Sequence, residues 1–152
     1  MVSRFTLRAA AIVLATAALT AHAHDYSVGA LHIDHPHARA MPPGARTGAA
    51  YLDIENRGRE GDVLQSARTP RAASVELHTM STEGGMMRMR EVREVPLPPQ
   101  RTTIFGPSGL HIMLVDPNPP LRQGETFPLT LTFARAGTIT VNVEVESMTA
   151  SN

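Results

Sequence analysis

Leu129, Leu131 and Phe133, and then Ile139, Val141, Val143 and Val145, alternate with polar residues in two stretches separated by Ala136-Gly137. Successive side chains of a strand project to opposite faces, so this period of two gathers the apolar groups of each stretch on one side. The pattern predicts two strands, each with one buried and one wet face. From Thr47 onward the same reading gives short strands over 49–55, 62–67, 74–80, 86–92, 102–105, 110–115, 127–133 and 138–146. Helix signals are nearly absent. Turns are expected at Asn56-Arg57-Gly58, Glu83-Gly84-Gly85, 96–99, Pro107-Ser108-Gly109, 116–120 and Ala136-Gly137, at the spacing of an all-β sandwich.

The beginning of the chain follows a different rule. Arg4 and Arg8 precede an apolar run over 9–19 that ends in Ala21-His22-Ala23. This is the pattern of a secretory signal peptide, residues 1–23, cleaved after Ala23 so that the mature chain starts at His24. The run is too short to span a bilayer, and no later segment is apolar enough for stable membrane insertion. Residues 24–152 then form a single domain, long enough for one core. No lysine occurs, and without Arg4 and Arg8 there remain 12 of the 14 basic residues against 14 acidic ones, a balance near −2 that recruits no nucleic acid. Cysteine is absent. The exported domain must therefore be held by its core alone, with no disulfide and no lipobox.

Within this frame the segment from Val75 to Val115 concentrates soft ligands. In the strand over 110–115, Leu110, Ile112 and Leu114 take the core face, and His111 and Met113 point away from it. In the strand over 74–80, Val75 and Leu77 take the core face and His78 and Met80 the outward one. His78 and Met89 are separated by ten residues, Met89 and His111 by twenty-one, and His111 and Met113 by one. Thioether sulfur is soft and selects Cu(I), which imidazole also accepts, whereas zinc prefers His, Cys or carboxylate. His78, Met89, His111 and Met113 are accordingly the candidate Cu(I) ligands, with Met80 and Met87 as neighbours able to substitute. Met86 and Met148 are assigned to core packing, the ordinary role of a lone methionine. The missing thiol argues against a blue-copper electron carrier, because that site needs a cysteine ligand.

The His, Met, His, Met set at this spacing resembles the hallmark of the periplasmic copper chaperone family written PCuAC. The resemblance extends to Arg39-Ala40 with Pro42-Pro43-Gly44, to Gly48-Ala49-Ala50-Tyr51-Leu52 with Asn56, to Gly85-Met86-Met87-Arg88-Met89, and to Gly109-Leu110-His111-Ile112-Met113-Leu114. It covers the chain from about Ala30 to Val145. It implies a cupredoxin-like β-sandwich of Greek-key type, located in the periplasm, that binds Cu(I) and hands it to the copper centre of cytochrome c oxidase, through subunit II or its assembly factors. A monomer is expected. A periplasmic storage or resistance role is the alternative, followed by a copper-dependent enzyme.

Two further readings stay open. His24, His32, His35 and His37 crowd the start of the mature chain, but Pro36 interrupts any strand there and the spacing defines no ligand geometry; a polar strand, with His37 filling a packing position, is the plainer account. His24 as an N-terminal residue would offer an amine beside an imidazole, a pair suited to a weaker Cu(II) site. For catalysis the chain offers little. His78 near Glu76 could be drawn as a general base, but strand neighbours at i and i+2 are just as often a surface polar pair, and there is no phosphate-cradling glycine loop, no HExxH and no GxSxG.

Overall fold

The computed structural model describes residues 25–149. The signal peptide read over 1–23 and the candidate ligand His24 lie outside them. Eleven strands follow one another: β1 (Tyr26–Val28), β2 (Leu31–Arg39), β3 (Thr47–Asn56), β4 (Asp62–Arg68), β5 (Ser74–Glu83), β6 (Met86–Glu91), β7 (Val95–Leu97), β8 (Arg101–Phe105), β9 (His111–Val115), β10 (Thr126–Phe133) and β11 (Gly137–Glu146). No helix occurs among the described residues.

The strands pair in the order β6-β5-β9-β3-β2-β11-β10-β4-β7, with β1 added to β2 and β8 to β3. All of these strand pairs but one run antiparallel; β11 and β2 are parallel, and this contact joins the last strand to the first long one. Ile33, Leu52 and Ile112 from one half of that order meet Leu64, Leu129 and Val141 from the other in one buried cluster. The sheet thus closes over its own apolar face as the expected cupredoxin-like sandwich. The alternating stripe of β10 and β11 supplies this core as predicted: Leu129, Leu131, Val141 and Val143 are fully buried.

Two strands, β1 and β7, escaped the sequence pattern, and β2, read as a polar strand, departs from it by a bulge. β1 is only three residues long. β2 contains Pro36, yet the ladder with β3 skips it: the register shifts between Asp34 and His37, and His35 turns with φ of 48°. This bulge lets a central strand carry a proline. β7 replaces the turn expected at 96–99, since Val95 and Leu97 are buried and Pro96 sits opposite Val63 on the last strand of the sheet order, where a missing N–H costs little. Two methionines also depart from expectation. Met86 and Met148 are exposed rather than core, at 59% and 51%.

Two polar side chains fasten the end of the sandwich formed by β4, β7 and the β10–β11 turn. Asn56, buried, donates to the carbonyls of Glu60 and Leu97 at 2.9 and 3.0 Å and accepts from Gly58 N–H. Asp62 accepts from the backbone N–H groups of Val63, Arg135 and Ala136 at 2.8 to 2.9 Å. At the opposite end of the sheet order, β5 and β6 are joined through Gly84 and Gly85, both with positive φ, 59° and 80°. Two left-handed residues between paired Glu83 and Met86 make a type I′ hairpin, a turn that only residues without a Cβ adopt freely. It fixes which residues of β6 face which residues of β5.

Candidate metal centre

Strand β5 pairs with β6 on one side and with β9 on the other, and the two registers converge. His78 stands opposite His111, and Glu76 opposite Met113. Across the hairpin Met80 stands opposite Met89, and His78 opposite Glu91. Cross-strand partners share a face, so Glu76, His78, Met80, Met89, His111 and Met113 lie together while Leu77, Ile112 and Leu114 enter the core. The face is the expected one, but its exposure is not. His78 and His111 are each only 7% exposed, because their rings lie against one another, centroids 5.7 Å apart at 37°, with Glu76 and Met89 in contact with them. Met113 and Met80 are half-buried, and Met89 on the all-exposed strand β6 remains 52% exposed.

The hydrogen bonds fix where the ring protons sit. His78 Nε2 lies 2.8 Å from Glu76 Oε2. A carboxylate only accepts, so Nε2 carries the hydrogen, and in the neutral ring Nδ1 holds a lone pair. That Nδ1 is buried and has no hydrogen-bond partner. In His111 the roles are exchanged: Nδ1 donates to the Gly109 carbonyl at 3.1 Å, which leaves the lone pair on Nε2. His111 Nε2 then faces the sulfur of Met89 at 3.2 Å. Both atoms are electron-pair donors, with no proton between them in the neutral ring. Two imidazole nitrogens with directed lone pairs and a thioether beside one of them form a soft donor set, each ring oriented by an acceptor on its far side, as metal-binding histidines are.

Of the four candidate ligands, His78, His111 and Met89 are brought into one cluster by these contacts, and Met113 lies on the same face two residues from His111. Met87 stands opposite Thr82, two pairs nearer the turn than Met89. Glu76, read from the sequence as a general-base partner or a surface neighbour of His78, is the carboxylate that sets that ring's tautomer. The Gly109 carbonyl, which does the same for His111, has no sequence signal, since it depends on the backbone path into β9. Among the other histidines, His32 accepts or donates to Ser27 Oγ at 3.2 Å, and His35 and His37 gather elsewhere on the sheet.

Residues 31–145 match the family model described as putative lipoprotein LpqE-like. The chain belongs to the LpqE-like family. A curated relative, the putative lipoprotein Lxx21020 of Leifsonia xyli subsp. xyli, is 31% identical over 110 residues, which are 72% of this chain and 66% of that protein. The chain thus spans just under two thirds of the length of the curated relative it matches. Among solved structures, this LpqE-like protein is similar to the copper-bound PCuAC domain from PmoF2, with TM-score 0.71 and 28% identity over 82% of this chain and 98% of that one. It is also similar to the Cu(I) form of DR1885 from Deinococcus radiodurans, with TM-score 0.63 and 32% identity over 86% of this chain and 85% of that one. The resemblance to PCuAC domains seen in the sequence is therefore carried by the whole fold. Both of these solved structures are named for bound copper.

Proposed function

We propose that the protein is an exported Cu(I) carrier that holds one ion through His78 Nδ1, His111 Nε2 and the sulfurs of Met89 and Met113, and surrenders it to a copper-requiring partner in the periplasm. The observation that carries this reading is the 3.2 Å approach of His111 Nε2 to the Met89 sulfur, two lone-pair donors with no hydrogen of their own to share. The orphaned, buried Nδ1 of His78 supports it, since a buried nitrogen without a partner costs free energy that a metal bond would recover. The likeness to copper-bound PCuAC domains supports the choice of ion, and the thioethers support its reduced state. Export is supported by the lipoprotein-like relatives and by the pattern of residues 1–23.

The donor set suits a carrier. All four ligands are neutral, and thiolates bind Cu(I) more strongly than thioethers do, so a thiolate-containing acceptor draws the ion away. Strand β6 favours that exchange, because among the described residues it pairs with β5 alone and leaves Met89 on the rim of a cluster whose two histidines are buried. An incoming thiolate replaces Met89 while the histidines still hold the ion, with no change in copper oxidation state. The acceptor we favour is the binuclear copper domain of cytochrome c oxidase subunit II or one of its assembly factors.

The test mixes Cu(I)-loaded protein with an apo binuclear-copper domain under reductant, separates the two, and measures metal in each. Copper is expected on the acceptor; copper that stays wholly on the donor would leave a storage or resistance role. Glu76→Ala probes the orientation of His78 independently. It is expected to weaken Cu(I) binding about 10- to 100-fold, the usual cost of removing a partner behind a metal-bound histidine. A competition titration against a Cu(I) chelator reads it, and an unchanged affinity would remove Glu76 from the account.

A further inference from the structure

The bulge in β2 builds a second cluster that the copper reading does not use. His35, His37 and Glu146 each offer a ligand atom within 4.8 Å of the other two. The two rings lie 4.4 Å apart at 47°, and His35 Nε2 is 3.4 Å from Glu146 Oε1. Without the bulge residues 35 and 37 would be ordinary same-face neighbours on an extended strand; the left-handed turn at His35 and the register shift after Asp34 draw them together. A left-handed backbone at a residue with a Cβ costs about 1 kcal/mol or more, and such residues concentrate at functional sites.

An independent observation points to a ligand. His37 is 4% exposed, and its Nδ1 donates to the His35 carbonyl at 2.8 Å, so the lone pair of the neutral ring is on Nε2. That Nε2 is buried without any hydrogen-bond partner. His35, His37 and Glu146 line a cavity of about 470 Å³ together with Asp53. Burial, and then Asp34, push the Asp53 carboxyl above the ordinary carboxylate value, with His35 and His37 pulling the other way. The cavity thus brings the carboxyl groups of Asp53 and Glu146 to the same wall as the two imidazoles.

We infer that His35, His37 and Glu146 form a second metal site, separate from the His/Met cluster, that takes a borderline divalent cation of the zinc class. Imidazole nitrogen and carboxylate oxygen are the ligands zinc prefers, and the absence of sulfur from this cluster disfavours Cu(I). The two sites lie on the same outer face. His37 pairs with Tyr51 and Met113 with Ala49, two residues apart along β3, so β3 separates them. The LpqE-like protein would then hold a soft ion at one edge of this face and a harder one near its middle.

The experiment is an anaerobic calorimetric titration of Zn2+ into Cu(I)-loaded protein, with copper content measured before and after. His35→Asn and Glu146→Gln are the variants, because their side chains are 63% and 26% exposed and neither fills the core. Wild type is expected to take one equivalent of Zn2+ and keep its copper; each variant is expected to bind Zn2+ at least about tenfold more weakly while retaining Cu(I) and its thermal melt. Absence of zinc uptake by the Cu(I)-loaded wild type, or uptake that neither substitution weakens, would overturn the inference. Either result leaves the Cu(I) reading untouched, since copper retention is scored separately.

Discussion

Replacing His111 and Met113 together by alanine is expected to lower Cu(I) affinity by at least about 100-fold, beyond the loss caused by changing a residue that merely orients a ligand. The size follows from what leaves: the only lone pair on the His111 ring, aimed at Met89, and the thioether on the same face. Because His111 is buried, the change also has a structural cost. The Gly109 carbonyl loses one of its two donors, keeping the Met80 N–H, and a cavity opens beside the His78 ring, so stability should fall by about 1–3 kcal/mol. The variant is nonetheless expected to fold, since Ile112 and Leu114 on the core face of β9 are unchanged. Met86→Ala and Met148→Ala serve as controls, both residues being exposed. Competition with a Cu(I) chelator, read beside a thermal melt, separates binding from folding; a folded double variant with wild-type affinity would place the ligands elsewhere.

Asp62→Ala is expected to have the largest effect on stability of any single polar substitution in the sandwich. Its carboxylate accepts from three backbone N–H groups, those of Val63, Arg135 and Ala136, and so ties the start of β4 to the turn that joins β10 and β11. Alanine would leave those donors without partners at a buried position, a loss of about 3 kcal/mol. Asp62→Asn keeps one oxygen and should fall between the two. Urea unfolding measures the difference, and a variant within about 0.5 kcal/mol of wild type would show that water or a shifted turn replaces the carboxylate. Cu(I) affinity of the folded Asp62→Ala protein should not change, since β4 and the β5–β6 hairpin lie toward opposite ends of the sheet order.

Much of this was legible before any coordinates. Alternation in residues 127–146 gave β10 and β11 and the face they bury, because a period of two needs no tertiary information to name a face. The Gly84-Gly85 pair announced a hairpin for the same local reason, as positive φ at both positions is open to glycine. The spacing of His78, Met89, His111 and Met113 identified a soft donor set. What was not legible in β2 and β7 turns on prolines whose tolerance depends on a bulge in one case and an edge position in the other. Neither is a property of the local sequence.

The chain alone thus determined the strand faces, most of the turn positions and the chemical softness of the cluster, all of which follow from residue type and short-range geometry. Tertiary structure decided the rest. Only the pairing of β5 with both β6 and β9 sets His78 against His111 and buries them, where alternation had implied open exposure. Only the packed neighbours, Glu76 on one ring and the Gly109 carbonyl on the other, decide which nitrogen of each histidine keeps its lone pair. The histidines of β2 show the same division: their types were plain in the sequence, but His35 and His37 meet Glu146 because β2 bulges and β11 runs parallel beside it. Residue type sets what a side chain can bind, and the long-range register of the sheet sets which side chains can bind together.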